Sequence, residues 1–460
     1  MHTNNKQYSN FRPFSFKVLL VLACLSGILV IILASHLDFF CIPKQIRVFN
    51  ISNEELFLIY SVLFTIFNIF MLKLSSSLNY PKSKMRTITF FAILIVQLVI
   101  MSMLFITYGQ IKISHLYYNS FFYTVVSLSL AASTAFLAIA ATQFLRWFIK
   151  HKNYLVITYG VVMLSLCSNS IIGEVYMSEV SLSHSEIIRY RSCSVMMGNI
   201  SNVNPETTNI LANLRDITSF FSFVMAWVVT ALMLREYTKH RNKLVYWFIF
   251  ALPLIFFLPR YEIALYYLSI HQVDNILGSI TLNSDIFGYQ TLNILLESNL
   301  QIGGAFFGMA FLVIATKLTN QSELRRSLII TGIGIMFLFA SKDMGTLIIS
   351  SYPPLGAVSI AFMSIASYMV YAGIYNTAVI TARDKKLRTD LHKNIANNMK
   401  LLGSIASSQD SLEIEKNVKQ LLNLSTQWQE ENEELNMSQK DVREIVNEVI
   451  SEVRKSQRKS

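Results

Sequence analysis

The sequence predicts an all-α fold: a polytopic integral membrane helix bundle of about ten spans, followed by a C-terminal cytoplasmic helical tail. Three observations predict it. The chain of 460 residues is 53% hydrophobic and only 15% charged, where a soluble domain carries roughly 25% charged residues. Its apolar residues come in runs about 20 long, the length that crosses a bilayer as a helix. The alternating segments of about 10 residues that a closed barrel needs do not recur. Lys and Arg, finally, gather in alternate connections between those runs.

In chain order, the first run, Val18 to Ala34, follows Arg12 and Lys17, as in a signal peptide. It is longer than the usual apolar core of about 7–15 residues and has no good cleavage site, so it reads as a retained anchor over about 18–40. Further spans are expected at about 56–74, 87–108, 117–144, 154–173, 217–234, 244–258, 292–315, 327–350 and 355–381. The stretch "YEIALYYLSI" at 261–270 either extends the seventh span or lies along the membrane surface. In the eighth, Gly304 and Gly308 form a GxxxG that allows close packing between helices of one chain.

Orientation follows from the basic residues. One side collects Lys6, Arg12, Lys17, Lys73, Lys82, Lys84, Arg86, Arg146, Lys150 and Lys152. It also collects Arg235, Lys239, Arg241, Lys243, Lys317, Arg325, Arg326, Arg383, Lys385, Lys386 and Arg388, 21 in all. The other holds eight: Lys44, Arg47, Lys112, Arg189, Arg191, Arg215, Arg260 and Lys342. The positive-inside rule then puts both termini in the cytoplasm of a multi-pass cell-membrane protein. Two outer connections, about 174–216 and 259–291, are longer than turns.

Residues 1–382 form the bundle and 383–460 the tail. The tail is highly charged yet nearly neutral, with 14 basic and 13 acidic residues. Leu387, Leu391, Ile395, Leu402 and Ile405 share one helical face, and "SSQDS" at 407–411 reads as a turn. Ile414, Val418, Leu421 and Trp428 continue as a short heptad-like, coiled-coil-like stripe. "SQKD" at 438–441 reads as the capping box of a last helix, with Val442, Ile445, Val449 and Val453 on its apolar face. His392 sits in a charged helix, like a sensor-kinase phospho-acceptor. Lys393 stands next to it where an acidic residue is expected, the tail has no proline, and Gly403 is its one glycine. No phosphate-cradling loop is available, so His392 reads as a solvated helix residue.

Ionisable residues near the bilayer are the candidates for a ligand or ion site, because burying them is costly. Lys342 and Asp343 fall within the ninth span, with Glu297 near the outer end of the eighth as a partner for Lys342. Arg260, Glu262 and Asp216 belong to the same outer half. The competing reading is structural pairing at the headgroup level. His36, His115, His184 and His271 lie on the outer side without ligand spacing, so no metal site is assigned and no cofactor is expected. Cys41 and Cys193, both outside, are free to form a disulfide by compartment. Asn50 and Asn199 head outer glycosylation sequons. GxxxxGK[ST], HExxH, GxSxG and GxGxxG motifs are all lacking, so an enzyme is not expected. Glu54-Glu55 only faintly matches the acidic pair of membrane glycosyltransferases, which carry large outer domains.

The segment "SYPPLGAVSIAFMSIASYMVYAGIYNTAVITARDKKLRTDLHKNI", together with the rest of the tail, resembles a group of polytopic membrane proteins of ammonia-oxidising archaea. The resemblance rests on Ser351-Tyr352-Pro353-Pro354-Leu355-Gly356, "LRTDLHKNI" at 387–395, "LLGSIASSQDSLEIEKNV" at 401–418 and the closing "MSQKDVREIVNEVISEV". It covers roughly the last 110 residues. Gly403 and His392 depart from the pattern. The resemblance implies an archaeal cell-membrane protein with a cytoplasmic tail, and brings no activity with it.

Two functions are expected. The first is a non-enzymatic sensor or scaffold in the lipid bilayer. Its tail, through Leu387, Leu391, Ile395, Leu402, Ile414, Val418, Leu421 and Trp428, binds a second copy or a cytoplasmic protein, with no nucleic acid involved. The alternative is a transporter or channel with its site at the outer-half charges. Transporters break their helices with Gly and Pro, and 16 Gly and 8 Pro in 460 residues fall below the usual ~7% and ~5%.

Overall fold

The computed structural model describes residues 53–76, 84–150, 152–183, 187–189, 205–238, 250–251, 253–254, 299–317, 322–341, 354–383, 404–405, 407–412, 414, 416 and 420. The long helices are α1 (Asn53–Ser76), α2 (Lys84–Ser114), α3 (Asn119–Lys150), α4 (Tyr154–Ser183) and α5 (Pro205–Thr238), then α6 (Asn299–Lys317), α7 (Ser322–Ala340) and α8 (Leu355–Arg383). Strands β1 (Leu116–Tyr118) and β2 (Ile187–Arg189) pair antiparallel, with Tyr117 opposite Ile188. Helices α1 to α5 and α8 are long and apolar enough to cross a membrane, while α6 contributes the shorter apolar stretch Ile302–Thr316. The expected first span and most of the seventh lie outside the described residues. The expected ninth span begins as α7, which closes in a turn at Ser341.

Local chemistry accounts for the helix ends. Glu54 and Glu55 occupy the first turn of α1 and Lys73 its last, each complementing the helix dipole. Asn153 caps α4, its Oδ1 accepting the Leu155 N–H at 2.9 Å. Pro205 opens α5, where its missing N–H is harmless. Helix α2 stops at His115, whose φ of 49° is left-handed, and whose N–H still reaches Ile111 O at 3.0 Å.

Consecutive helices pack side by side from α1 to α5, α5 touches α6, and α6 lies along α7. Phe67 of α1 meets Phe337 of α7 with ring centroids 4.6 Å apart, which brings the two ends of the series together. Helix α8 packs against α1, α2, α3 and α7, and its apolar span is buried except for the half-buried Tyr375 and Ile380. An element buried on every side must be apolar or small all round. Its Gly356, Ala357, Ala361, Ala366, Ala372, Gly373 and Ala378 meet that demand.

The outer ring of helices has its polarity reversed relative to a soluble bundle. On α1 the exposed face is Ile59, Val62, Ile66 and Ile69, the last two 57% and 59% exposed, while Ser61, Asn68 and Ser75 are buried. Helices α2 and α5 likewise expose Phe91, Ile95, Leu98, Ile217 and Phe221. Water would penalise so much apolar surface; lipid does not, and inside a membrane bundle hydroxyls and amides hold the helices together. The protein is therefore an all-α, membrane-embedded helix bundle.

Glycines set the closest approaches. A Cβ on Gly308 would stand 2.4 Å from Gly332 O, and one on Gly373 would stand 2.9 Å from Ser327 O. The GxxxG of α6 thus seats α7 within the chain, as its sequence suggests. Because backbone is the obstacle, Gly308→Ala is expected to cost about 1–3 kcal/mol by overpacking. Gly109→Ala, with open space around it, is expected to be neutral or stabilising by up to about 1 kcal/mol. Thermal unfolding of the two variants in the same lipid checks the contrast.

Candidate functional site

The most specific side-chain arrangement lies at the end of the bundle that carries Lys73, Arg146 and Lys150. There a helical piece of the tail, residues 404–405 and 407–412, sits on α3 and on the α3–α4 connection. Trp147 is fully buried, and its indole Nε1–H donates to Gln409 Oε1 at 3.0 Å. Gln143 Nε2 donates to the same oxygen at 3.4 Å. The Ser408 hydroxyl, wholly buried, lies 2.9 Å from Trp147 O and 2.8 Å from Ser404 O, one proton shared between two carbonyls. Asn153, while capping α4, donates through Nδ2 to Ser404 Oγ. Each polar group that this segment buries is thereby matched, as burial requires.

Ile405, 3% exposed, completes the seat. It lines a small apolar cavity with Phe144 of α3, Tyr159 of α4, Phe311 of α6, Leu328 and Thr331 of α7, and Ile374 and Thr377 of α8. Phe144 stacks on Tyr159 at 5.9 Å and meets Trp147 edge-on at 5.3 Å, so the floor of the seat is an aromatic cluster. One side chain of the tail thus touches a space bordered by five helices. "SSQDS" is helical here, not the expected turn. Its serine hydroxyls bond back to carbonyls four residues earlier, Ser408 to Ser404 and Ser411 to Ser407, so a serine-rich string stays in helix.

A seam of polar side chains runs along α8. Gln97 of α2 donates to Ser364 Oγ at 2.6 Å, Ser129 of α3 donates to Ile360 O at 2.6 Å, and Ser133 and Ser367 share a hydrogen bond of 2.6 Å. Ser75 of α1 donates to the Tyr368 hydroxyl at 3.1 Å. Asn68 Oδ1, Gln97 Oε1, Ser359 Oγ and both ends of the Asn376 amide are buried without a protein partner.

The expected outer-half charge cluster is represented by Asp216 alone. Its Oδ1 lies 3.3 Å from Nη2 of its neighbour Arg215, whose guanidinium also lies 5.2 Å over the Tyr176 ring. Lys342, Asp343, Glu297, Arg260 and Glu262 lie outside the described residues. So do Cys41, Cys193, Asn50, Asn199, His392, and, of the tail face, Leu387, Leu391, Ile395, Leu402, Val418, Leu421 and Trp428. Ile414 is helical and half-buried. Of the four histidines expected on the outer side, His115 is described, and its Nδ1 lies 3.1 Å from Glu54 Oε1. Among the described residues no three of His, Cys, Asp and Glu come close enough to hold a metal ion.

Sequence reasoning missed Trp147, Gln143, Asn153, Ser404, Ser408, Gln409 and the polar seam. Ser61, Asn68 and Ser75 carry a legible signal, since their seven-residue spacing puts three polar side chains on one stripe of an otherwise apolar helix. Comparison with protein-family models, curated proteins and solved structures finds no match.

Ile405→Asp would bury a carboxylate against Phe144 and Tyr159, a cost of several kcal/mol. The tail should leave its seat, and trypsin should cut at the exposed Lys416 faster by about tenfold or more, the change that 1.4 kcal/mol of docking free energy produces. Ile405→Leu should cut at the parent rate. Timed proteolysis of the full chain in membranes reads both.

Proposed function

We propose that this chain is a non-enzymatic membrane sensor or scaffold that couples a helix bundle to a cytoplasmic interaction tail. On this reading the bundle has about ten spans in the cell membrane and both termini lie in the cytoplasm. Residues 383–460 bind a second copy of the chain or a cytoplasmic protein.

The observation that carries the reading is the seat of residues 404–405 and 407–412. A tail that served only to keep the chain soluble would have no use for four matched polar contacts and an apolar anchor. Because Ile405 shares its cavity with Ile374 and Thr377 of α8 and Leu328 and Thr331 of α7, a shift of either helix changes the seat directly. Packed contacts of this kind convert small displacements into two discrete arrangements.

The polar seam along α8 favours a second reading, a transporter or channel, because partly matched amides within a bundle attract water or a polar solute. The two readings make opposite demands on the tail.

Affinity capture from membranes with the full chain and with a chain ending after Thr381 separates them. A partner, or a homo-oligomer, that is retained by the full chain and lost from the truncated one is the expected result. Unchanged partners combined with tail-independent solute flux would replace the sensor reading with the transporter.

A further inference from the structure

We infer that Glu174, with the hydroxyls of Ser127 and Tyr123, forms a binding site for one monovalent metal cation between α3 and α4, at the end of the bundle that carries the two-stranded sheet. This inference is independent of the tail reading, since none of its residues touches the tail seat.

Glu174 lies inside the apolar stretch Tyr154–Glu179, five residues from its end, or about 7.5 Å at the helical rise. Its Oε1 accepts a hydrogen bond from Ser127 Oγ at 2.5 Å and lies 3.5 Å from the Tyr123 hydroxyl. Its Oε2 is buried with no hydrogen-bond partner. The nearby cation, Arg215, pairs with Asp216 through Nη2 and lies over Tyr176, while its Nη1 is buried without a hydrogen-bond partner. Residues 174 and 176 project about 200° apart on a helix, so the Tyr176 ring that the guanidinium covers and the Glu174 carboxylate leave α4 on different sides.

A carboxylate oxygen buried without a partner is costly, and a bound ion is one of its few remedies. The geometry offers that remedy. Tyr123 and Ser127 are four residues apart on α3 and so face the same way as each other. Each hydroxyl can donate its proton to Oε1 and still present a lone pair to an ion. The ligands are all oxygens, which suits a hard cation. One carboxylate matches one positive charge, whereas a divalent ion would leave the site charged within an apolar stretch.

The test uses the purified full chain in lipid nanodiscs, unfolded thermally in choline, lithium, sodium or potassium chloride at equal ionic strength. Sodium or potassium should raise Tm saturably over choline, as a ligand of the folded state does. Radioactive sodium, or rubidium standing in for potassium, should bind at one site per chain. Glu174→Gln should abolish both effects. Ser127→Ala keeps the carboxylate, and with it the charge, and should weaken tracer binding by about tenfold, the loss of roughly one charge-assisted contact; this arm decides the matter if Glu174→Gln fails to fold. Equal Tm in all four salts with no tracer bound would overturn the inference. So would tracer binding that survives Glu174→Gln, or a Tm that follows pH but no metal cation, which would make a proton the occupant.

Discussion

The structure depends on one constraint: α8 has no face turned to lipid or water, so everything it carries must be satisfied by the helices around it. That constraint selects its residues. Gly373 admits the backbone of α7, with Ser327 O 2.9 Å from where a Cβ would be. The α3 side needs hydroxyls, and Ser129 and Ser133 provide them. The side towards α1 takes aromatic packing, where Phe362 meets Phe64 at 4.8 Å and Phe67 at 5.0 Å. Hydrogen bonds of this kind average only about 0.6 kcal/mol inside membranes. Their value lies in register: each pins one residue of α8 to one residue of a neighbour, where apolar packing alone would tolerate a shift.

That division of labour explains how much could be read in the sequence. Length and hydropathy are properties of single segments, and they located α1 to α3, α6 and α8 to within a turn or two. Helix α4, however, runs ten residues past its expected end and α5 starts twelve residues early, so much of the expected outer connection 174–216 is helix. Packing partners are properties of pairs, and few segments reveal them alone. Gly304 and Gly308 did, because a GxxxG states that something comes close on that face. Ser129 and Ser133 did not, because a serine in a span looks the same whether it bonds its own helix or another. Thr124 and Ser102 bond carbonyls of their own helices and are exposed, whereas Ser133 crosses to Ser367. The strands β1 and β2, three residues each, fall below any periodicity test. Glu174 escaped notice for a different reason: the fifth span was expected to end one residue earlier, which turned a carboxylate within a helix pair into an ordinary loop acid.

The tail departs from its sequence-based expectation through the same difference between local and tertiary evidence. Ser, Gln and Asp in succession are turn formers when water is their partner. Against Trp147 and Gln143 the same residues have better partners, and helix results. Trp147 is central because it offers the segment two different groups, its indole N–H to Gln409 and its main-chain carbonyl to Ser408. No property of residues 407–411 by themselves distinguishes the two outcomes.

Helix α3 joins these features. Its Ser129, Ser133 and Phe136 fasten α8, since Phe136 meets Tyr368 at 5.3 Å and Tyr371 at 6.2 Å. Its Gln143, Phe144 and Trp147 form the floor of the tail seat. Near its other end, Tyr123 and Ser127 face Glu174. Ser127 and Trp147 are 20 residues apart, about 30 Å of continuous helix, with no proline in between. A helix of that length without a break moves as a unit, because bending it sharply would need a defect that its sequence lacks. Whatever displaces α3 against α4 at the carboxylate therefore also displaces Phe144 against Tyr159, the pair on which Ile405 rests. Coupling between the two ends needs no pathway of side chains, only the stiffness of one helix that both ends share.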